Sequence, residues 1–235
     1  MTDSELSIAE TFVSLAGALA TGRDVLDTMD DLIQASTAHT SAVEAGIVLA
    51  DSSGILHVVA STSERATQLE EEQLGTDEGP CWDAFQGGEA VEIADIAETS
   101  ARWPRFAAAA ERRGFRAAHA VPLRLRERTF GSLNLFSVQP GSLSDADAAL
   151  AQAFADVATI SILQQESFQR GADVAAELQS ALDGRVLIEQ AKGMIAQRHG
   201  TSVEDAFQRL RDAARRSGKP VREIARLTTV NQADA

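Results

Sequence analysis

Ten Lys and Arg side chains fall between Ala181 and Leu227, against six Asp and Glu, and both lysines of the chain, Lys192 and Lys219, are among them. Guanidinium and ammonium groups on a compact helical surface can clamp phosphates. The same groups can equally be a solvated face. Residues 1–180 have the opposite balance, eleven basic against twenty-eight acidic residues, so the net charge of −14 conceals the asymmetry. A basic module on an acidic protein points to an anionic partner for that end alone.

A second kind of chemistry centres on Cys81, which lies beside Trp82 and Asp83. Near His119 in space, and with its thiolate stabilised, it would be a redox sensor or a nucleophile. As a small residue under a loop it would be inert, which is the commoner fate of a free cysteine. It is the only cysteine, so an internal disulfide is excluded, a reducing interior fits, and disulfide-based turnover would need an outside thiol. His57 and His119 fall in strand patterns, and no two histidines or carboxylates have a recognised metal spacing. Neither a glycine-rich phosphate loop nor a catalytic triad is found, so no catalytic residue and no cofactor is assigned.

The elements that must position these residues follow from periodicity. Leu6, Phe12, Val13, Leu15 and Leu19 predict one helix, and Val25, Leu26, Met29, Leu32 and Ile33 a second, with Asp24 as its N-cap. A hairpin follows, 45–50 and 55–60 about the turn Asp51-Ser-Ser-Gly54. Residues 63–89 read as polar, with Glu70–Glu72 a solvated run. A short strand at 90–94, a helix over 104–113 stopped by Gly114, and strands at 118–125 and 129–136 complete a mainly antiparallel α+β domain. From Ser144, with Asp147 in capping-box position, one helix is predicted to about residue 182. Its seam (Leu150, Phe154, Val157, Ser161, Gln164, Phe168, Gly171, Ala175, Leu178, Leu182) suggests an imperfect coiled coil between two copies of the chain, or an ordinary packed helix, with Gly171 its weak point.

Three short helices end the chain. Leu187, Ala191, Met194 and Ile195 share one face of the first, and Arg185, Glu189 and Lys192 another. Gly200 stops it, and Thr201-Ser-Val-Glu204 is a capping box for the second. There Val203, Ala206, Phe207, Leu210 and Ala214 form the buried stripe, leaving Arg211 with Arg215, and Arg209 with Arg216, exposed. After Gly218 and Pro220 a third helix begins, and its pattern stops soon after Leu227.

The string Arg185-Val-Leu-Ile-Glu-Gln-Ala-Lys-Gly193, with His199-Gly, Glu204-Asp-Ala-Phe, Ala214-Arg-Arg and Val221-Arg-Glu-Ile-Ala225, closely resembles the ANTAR domain of bacterial antitermination regulators. Glu78-Gly-Pro-Cys-Trp-Asp-Ala-Phe85, Trp103-Pro-Arg-Phe106, Gly114–Leu123 and Phe130-Gly-Ser-Leu-Asn-Leu-Phe136 resemble the GAF domain often joined to it. The resemblance implies an RNA-binding output that acts as a dimer on paired stem-loops in nascent transcripts, keeping a terminator hairpin from forming. It also implies a sensor domain with a small-molecule cavity whose ligand it does not name. Arg185 and Lys192 are then the expected phosphate or loop contacts, Gln190 a base contact, and Arg211 and Arg215 secondary contacts. Ala191 and Gly193 are expected to let neighbouring helices approach.

The expected organisation is an N-terminal helix over 1–24, a GAF sensor over 25–143, a signalling or dimerisation helix over 144–182 and an ANTAR module over 183–230. The expected protein is a cytoplasmic homodimer: the N-terminus does not read as a signal peptide, and no run of about 18 apolar residues marks a membrane span. The competing reading is a small-molecule or redox-sensing GAF protein whose C-terminal helices serve dimerisation or protein interaction.

Overall fold

The computed structural model describes residues 3–21, 23–168 and 174–233, which divide into two compact units, Met1–Gly171 and Ala172–Ala235. In the first, helices α1 (Asp3–Ala20) and α2 (Val25–His39) precede strands β1 (Glu44–Ala50) and β2 (Leu56–Ser61). Then come α3 (Glu64–Thr76), α4 (Pro80–Gly87), β3 (Val91–Ile93), α5 (Pro104–Arg112), β4 (Ala117–Leu125), β5 (Arg128–Ser137) and α6 (Asp145–Phe168). The strands form one antiparallel sheet in the order β2-β1-β5-β4-β3.

Both faces of this sheet are covered, which is why its central strands read as nearly continuous apolar runs. Alternate residues belong to opposite layers. Ala45, Ile47, Leu49, Val121, Leu123, Leu133 and Leu135 pack with Leu15, Met29, Leu32, Ile33, Ala151, Phe154 and Ala158 from α1, α2 and α6. Val48 joins Cys81 of α4 on the other side, while Ala118 and Phe136 meet Leu69, Phe106 and Ala110 from α3 and α5.

The local signals resolve as chemistry predicts at several places. The Asp24 carboxylate accepts from the Leu26 N–H at 2.9 Å and starts α2. Asp51 holds its turn by accepting from the Ser53 and Ile55 amides and pairing with His57. Ser144 accepts from the Asp147 N–H, but the Asp147 carboxylate does not complete a reciprocal box. It accepts instead from Ser41, amide and hydroxyl, tying the start of α6 to the end of α2.

The polar stretch 63–89 holds two helices. Ser63 caps α3, Asp77 ends it with a left-handed φ of 53°, and Pro80 opens α4. Glu70 is not part of a solvated run: it is wholly buried, because α3 turns that side toward the sheet.

The segment 144–182 contains α6 and the start of α7 (Val174–His199), with residues 169–173, Gly171 included, outside the described residues. The side chains of Phe168, Ala175, Leu178 and Leu182 are outside them too. Phe154 stacks on Phe12 (ring centroids 5.1 Å apart, 6° between planes) inside its own domain, and Leu150 and Val157 pack on the same core. Residues 145–165 are long and apolar enough, by composition, to cross a membrane. Ala151, Phe154, Ala155 and Ala158 on one side of it are buried against the domain.

The second unit consists of α7, α8 (Val203–Ser217) and α9 (Val221–Ala233), packed around Ala191, Leu210 and Ala225. The cap of α8 is Ser202, whose hydroxyl accepts from the Asp205 N–H, one residue later than the Thr201–Glu204 box. Val203, expected in the buried stripe, is correspondingly exposed. Gly200 and Gly218 take the left-handed conformation that stops α7 and α8. The third helix continues past Leu227 to Ala233.

Phe154→Ala should cost roughly 3–5 kcal/mol, because it removes a fully buried ring and leaves a cavity between three helices. Urea unfolding of the full chain checks this, and a loss under about 1 kcal/mol would show that the α1–α6 stack is not part of the core.

Candidate functional site

In the first unit the polar groups gather under α3 and α4. Glu70, Gln73, Cys81, Ser132 and Asn134 are all buried on one sheet face. Gln73 links Glu70 to Cys81: its Nε2 donates to Glu70 at 3.1 Å, and its Oε1 accepts from the Cys81 N–H at 3.1 Å. Ser132 donates to Asn134 at 3.1 Å. Two glycines make the room. A Cβ on Gly46 would lie 2.9 Å from Glu70 Oε1, and one on Gly79 (φ 124°) 2.4 Å from Gln73 Oε1.

Burial, and next the Glu70 carboxylate, push the Cys81 thiol well above its ordinary range; hydrogen bonds from Ser132 and Asn134 oppose the shift without cancelling it. The sulfur is therefore a protonated, shielded group, the reverse of an activated nucleophile. Trp82 packs beside it, half-buried, tilted against Phe85 with centroids 6.4 Å apart.

His119 does not join them. It pairs with Leu135, whereas Cys81 meets Ser132 and Asn134, and the strand alternation sends these to opposite faces. His119 lies by a small cleft shared with Glu92, Ser137, Gly141 and Leu143. Burial holds its pKa down, and the Glu92 carboxylate works against that. Among the described residues no group of three or more His, Cys, Asp or Glu could hold a metal ion.

In the second unit the five predicted RNA contacts separate by exposure. Gln190 and Arg215 are exposed, and Arg185 is half-buried. Lys192 and Arg211 are only 4% and 3% exposed. Lys192 Nζ pairs with Glu189 at 2.9 Å and lies 5.1 Å from the centroid of the Phe207 ring; the Arg211 guanidinium carbon lies 4.1 Å from it. Arg211 was expected on the exposed face. It is buried because its stem and planar head follow the Phe207 ring one turn earlier on α8, with α7 packed alongside. The Phe207/Arg211 spacing of four was the sequence signal for this contact, while the approach of Lys192 from α7 had none.

Besides Arg215, six further cations are exposed at the surface: Arg198, Arg209, Arg216, Lys219, Arg222 and Arg226. Lys219 is bridged to Glu223 on α9. The module thus keeps an electrostatic footprint for a polyanion although two of its best-placed cations are internal.

A family model described as the GAF domain matches residues 22–162, and one described as the ANTAR domain matches residues 176–227. The chain is similar in fold to the GAF domain of an Acinetobacter phosphoenolpyruvate-protein phosphotransferase, with 16% identity and a TM-score of 0.53 over 72% of this chain and 99% of that one. It is similar to free methionine-R-sulfoxide reductase from Neisseria meningitidis at 15% identity and a TM-score of 0.54, over 71% and 95%. A GAF region of a membrane protein from Geobacter sulfurreducens is 21% identical, with a TM-score of 0.51 over 59% and 93%. No functionally curated protein matches the chain.

The Cys81 thiol should react with an aromatic disulfide reagent at pH 8 only as fast as the domain opens, and fully in urea. Fast native-state labelling, measured spectrophotometrically, would contradict the burial. Arg211→Ala should lower the stability of the C-terminal unit by about 1–2 kcal/mol through the lost ring contact and stem packing. Thermal unfolding followed by circular dichroism measures it, and an unchanged transition would place Arg211 at the surface.

Proposed function

The chain belongs to the GAF domain family and carries an ANTAR domain after it, and on that premise we propose that it binds RNA hairpins in nascent transcripts and so antagonises termination, under control of the GAF domain. The observation that carries this reading is the ANTAR match on a compact helical unit whose charge is opposite to that of the rest of the chain. An RNA stem supplies phosphates to the exposed arginines, and a loop supplies unstacked bases to polar side chains. The acidic first unit opposes indiscriminate RNA binding by repulsion.

On this reading residues 25–143 sense, 144–182 transmit and pair two copies of the chain, and 183–230 bind RNA in the cytoplasm. A small molecule that reached the sheet face under α3 and α4 would meet the hydrogen-bonding groups of Glu70, Gln73, Ser132 and Asn134. Its entry would require α3 or α4 to shift, which is a plain route from ligand to conformational change. The redox alternative is the weaker one, since it asks a buried thiol with a raised pKa to act as a thiolate.

Arg185 and Arg215 are assigned to phosphate, and Gln190 to a base edge. Lys192 and Arg211 are assigned to organising the surface from beneath through Phe207, their cationic heads contributing to the local potential.

Filter retention of the full chain with a tandem-hairpin RNA library, beside duplex DNA of equal length, tests the reading. Binding should favour the hairpins and weaken linearly in log–log form with salt. Arg215→Ala should lower affinity for every bound hairpin and reduce the salt slope by about one. Equal binding to both nucleic acids, or none to either, would remove RNA-hairpin recognition as the output.

A further inference from the structure

The outward face of α7 carries a glycine that the module does not need for its own packing. Gly193 is exposed, in ordinary helical backbone, six residues before the helix ends. No heavy atom outside its own helix backbone and chain neighbours lies within 4 Å of where its Cβ would sit. Within the described residues it therefore does not serve the approach of a neighbouring helix, contrary to the expectation from the sequence. A glycine inside a helix weakens it relative to alanine, because its backbone loses more freedom on folding. Gly17 also faces open space, but it sits in the last turn of α1, where fraying makes the cost small. Gly193 has neither a contact nor a helix end to account for it.

Its surroundings have a distinct chemistry. At helical spacing along the same face stand Val186, Gln190 and Gln197, all exposed and all uncharged, with Val186 at 55% exposure. The strip lies on a module in which Lys and Arg outnumber Asp and Glu by ten to six; the half-buried Arg185 and Glu189 adjoin it, while Lys192 on the same stripe is turned inward. A glutamine amide both donates and accepts, so it can match the edge of a base, which a lysine or arginine head, a donor only, cannot do in full.

We propose that Gly193 is a specificity-determining position: its missing side chain lets an unpaired base of an RNA loop lie against the α7 backbone, with Gln190 and Gln197 hydrogen-bonding the base edge. The inference rests on the RNA-binding reading above and locates sequence discrimination in an uncharged strip, apart from the arginines that supply affinity. Charge selects the occupant. A second copy of this module would bring one net-positive surface onto another, whereas RNA brings phosphates to Arg185 and the module's exposed arginines.

The test uses full-length wild type, Gly193→Ala and Gln190→Ala. Binding is measured to hairpins of one stem with randomised loops, at fixed salt and across a salt titration, together with thermal unfolding and sedimentation. Gly193→Ala should melt at or above the wild-type temperature, yet lose roughly tenfold or more in affinity for the preferred loop with an unchanged salt slope. Gln190→Ala should flatten the preference among loops while keeping the salt slope. If Gly193→Ala retains wild-type loop selection, the proposal is overturned while RNA binding stands. A change in sedimentation of Gly193→Ala with loop selection intact also overturns it, and assigns the strip to contact between copies. Should wild type bind none of the hairpins, the RNA reading itself fails, and this assignment with it.

Discussion

A sheet that is apolar on both sides must be covered on both sides, and the first unit is built around that requirement. Isoleucine, valine and leucine alternate between two cores along β1, β4 and β5, so a residue's parity fixes which helices it can meet. One layer takes α1, α2 and α6, and the other takes α3, α4 and α5. The same alternation separates His119 from Cys81, which no proximity in the sequence could have decided.

Covering the second face buries polar atoms as well as apolar ones, and the structure treats them differently from those on the surface. Gln73 bridges Glu70 to the Cys81 backbone, and Ser132 bonds Asn134, so the groups that leave water do so largely in hydrogen-bonded company. The bond from the Cys81 N–H to Gln73 is the one of these that joins α4 to α3, so a shift of either helix breaks it. Together these groups join this face of the sheet to the helices above it, and give the domain a polar interior.

The C-terminal unit meets the same problem with charge. Two cations withdraw from solvent against one phenyl ring, and Glu189 supplies an ion-pair partner for Lys192. Their long apolar stems fill space that a three-helix module of this size has little else to fill. On the proposed reading, the remaining arginines are left for phosphate attraction and the uncharged strip of α7 for discrimination, so affinity and selectivity would fall to different residues of one small unit.

The sequence by itself determined the element order from α1 to β2, the strands β4 and β5, the caps at Asp24 and Ser144, the glycine stops at Gly200 and Gly218, and the charge division between the units. These are set by hydrophobic period, capping and turn chemistry, which act over a few residues. It also carried the GAF and ANTAR patterns, which were legible as strings. The polar run 63–89 hid two helices because α3 is amphipathic with its charged side outward, and its buried Glu70 sits in a run of three glutamates that reads as solvated. Only the tertiary structure decided that Glu70, Lys192 and Arg211 are internal, that Cys81 is shielded from His119, and that nothing in the module packs against Gly193. Each depends on which distant element lies over a given face, and a single helix or strand holds no information about what covers it.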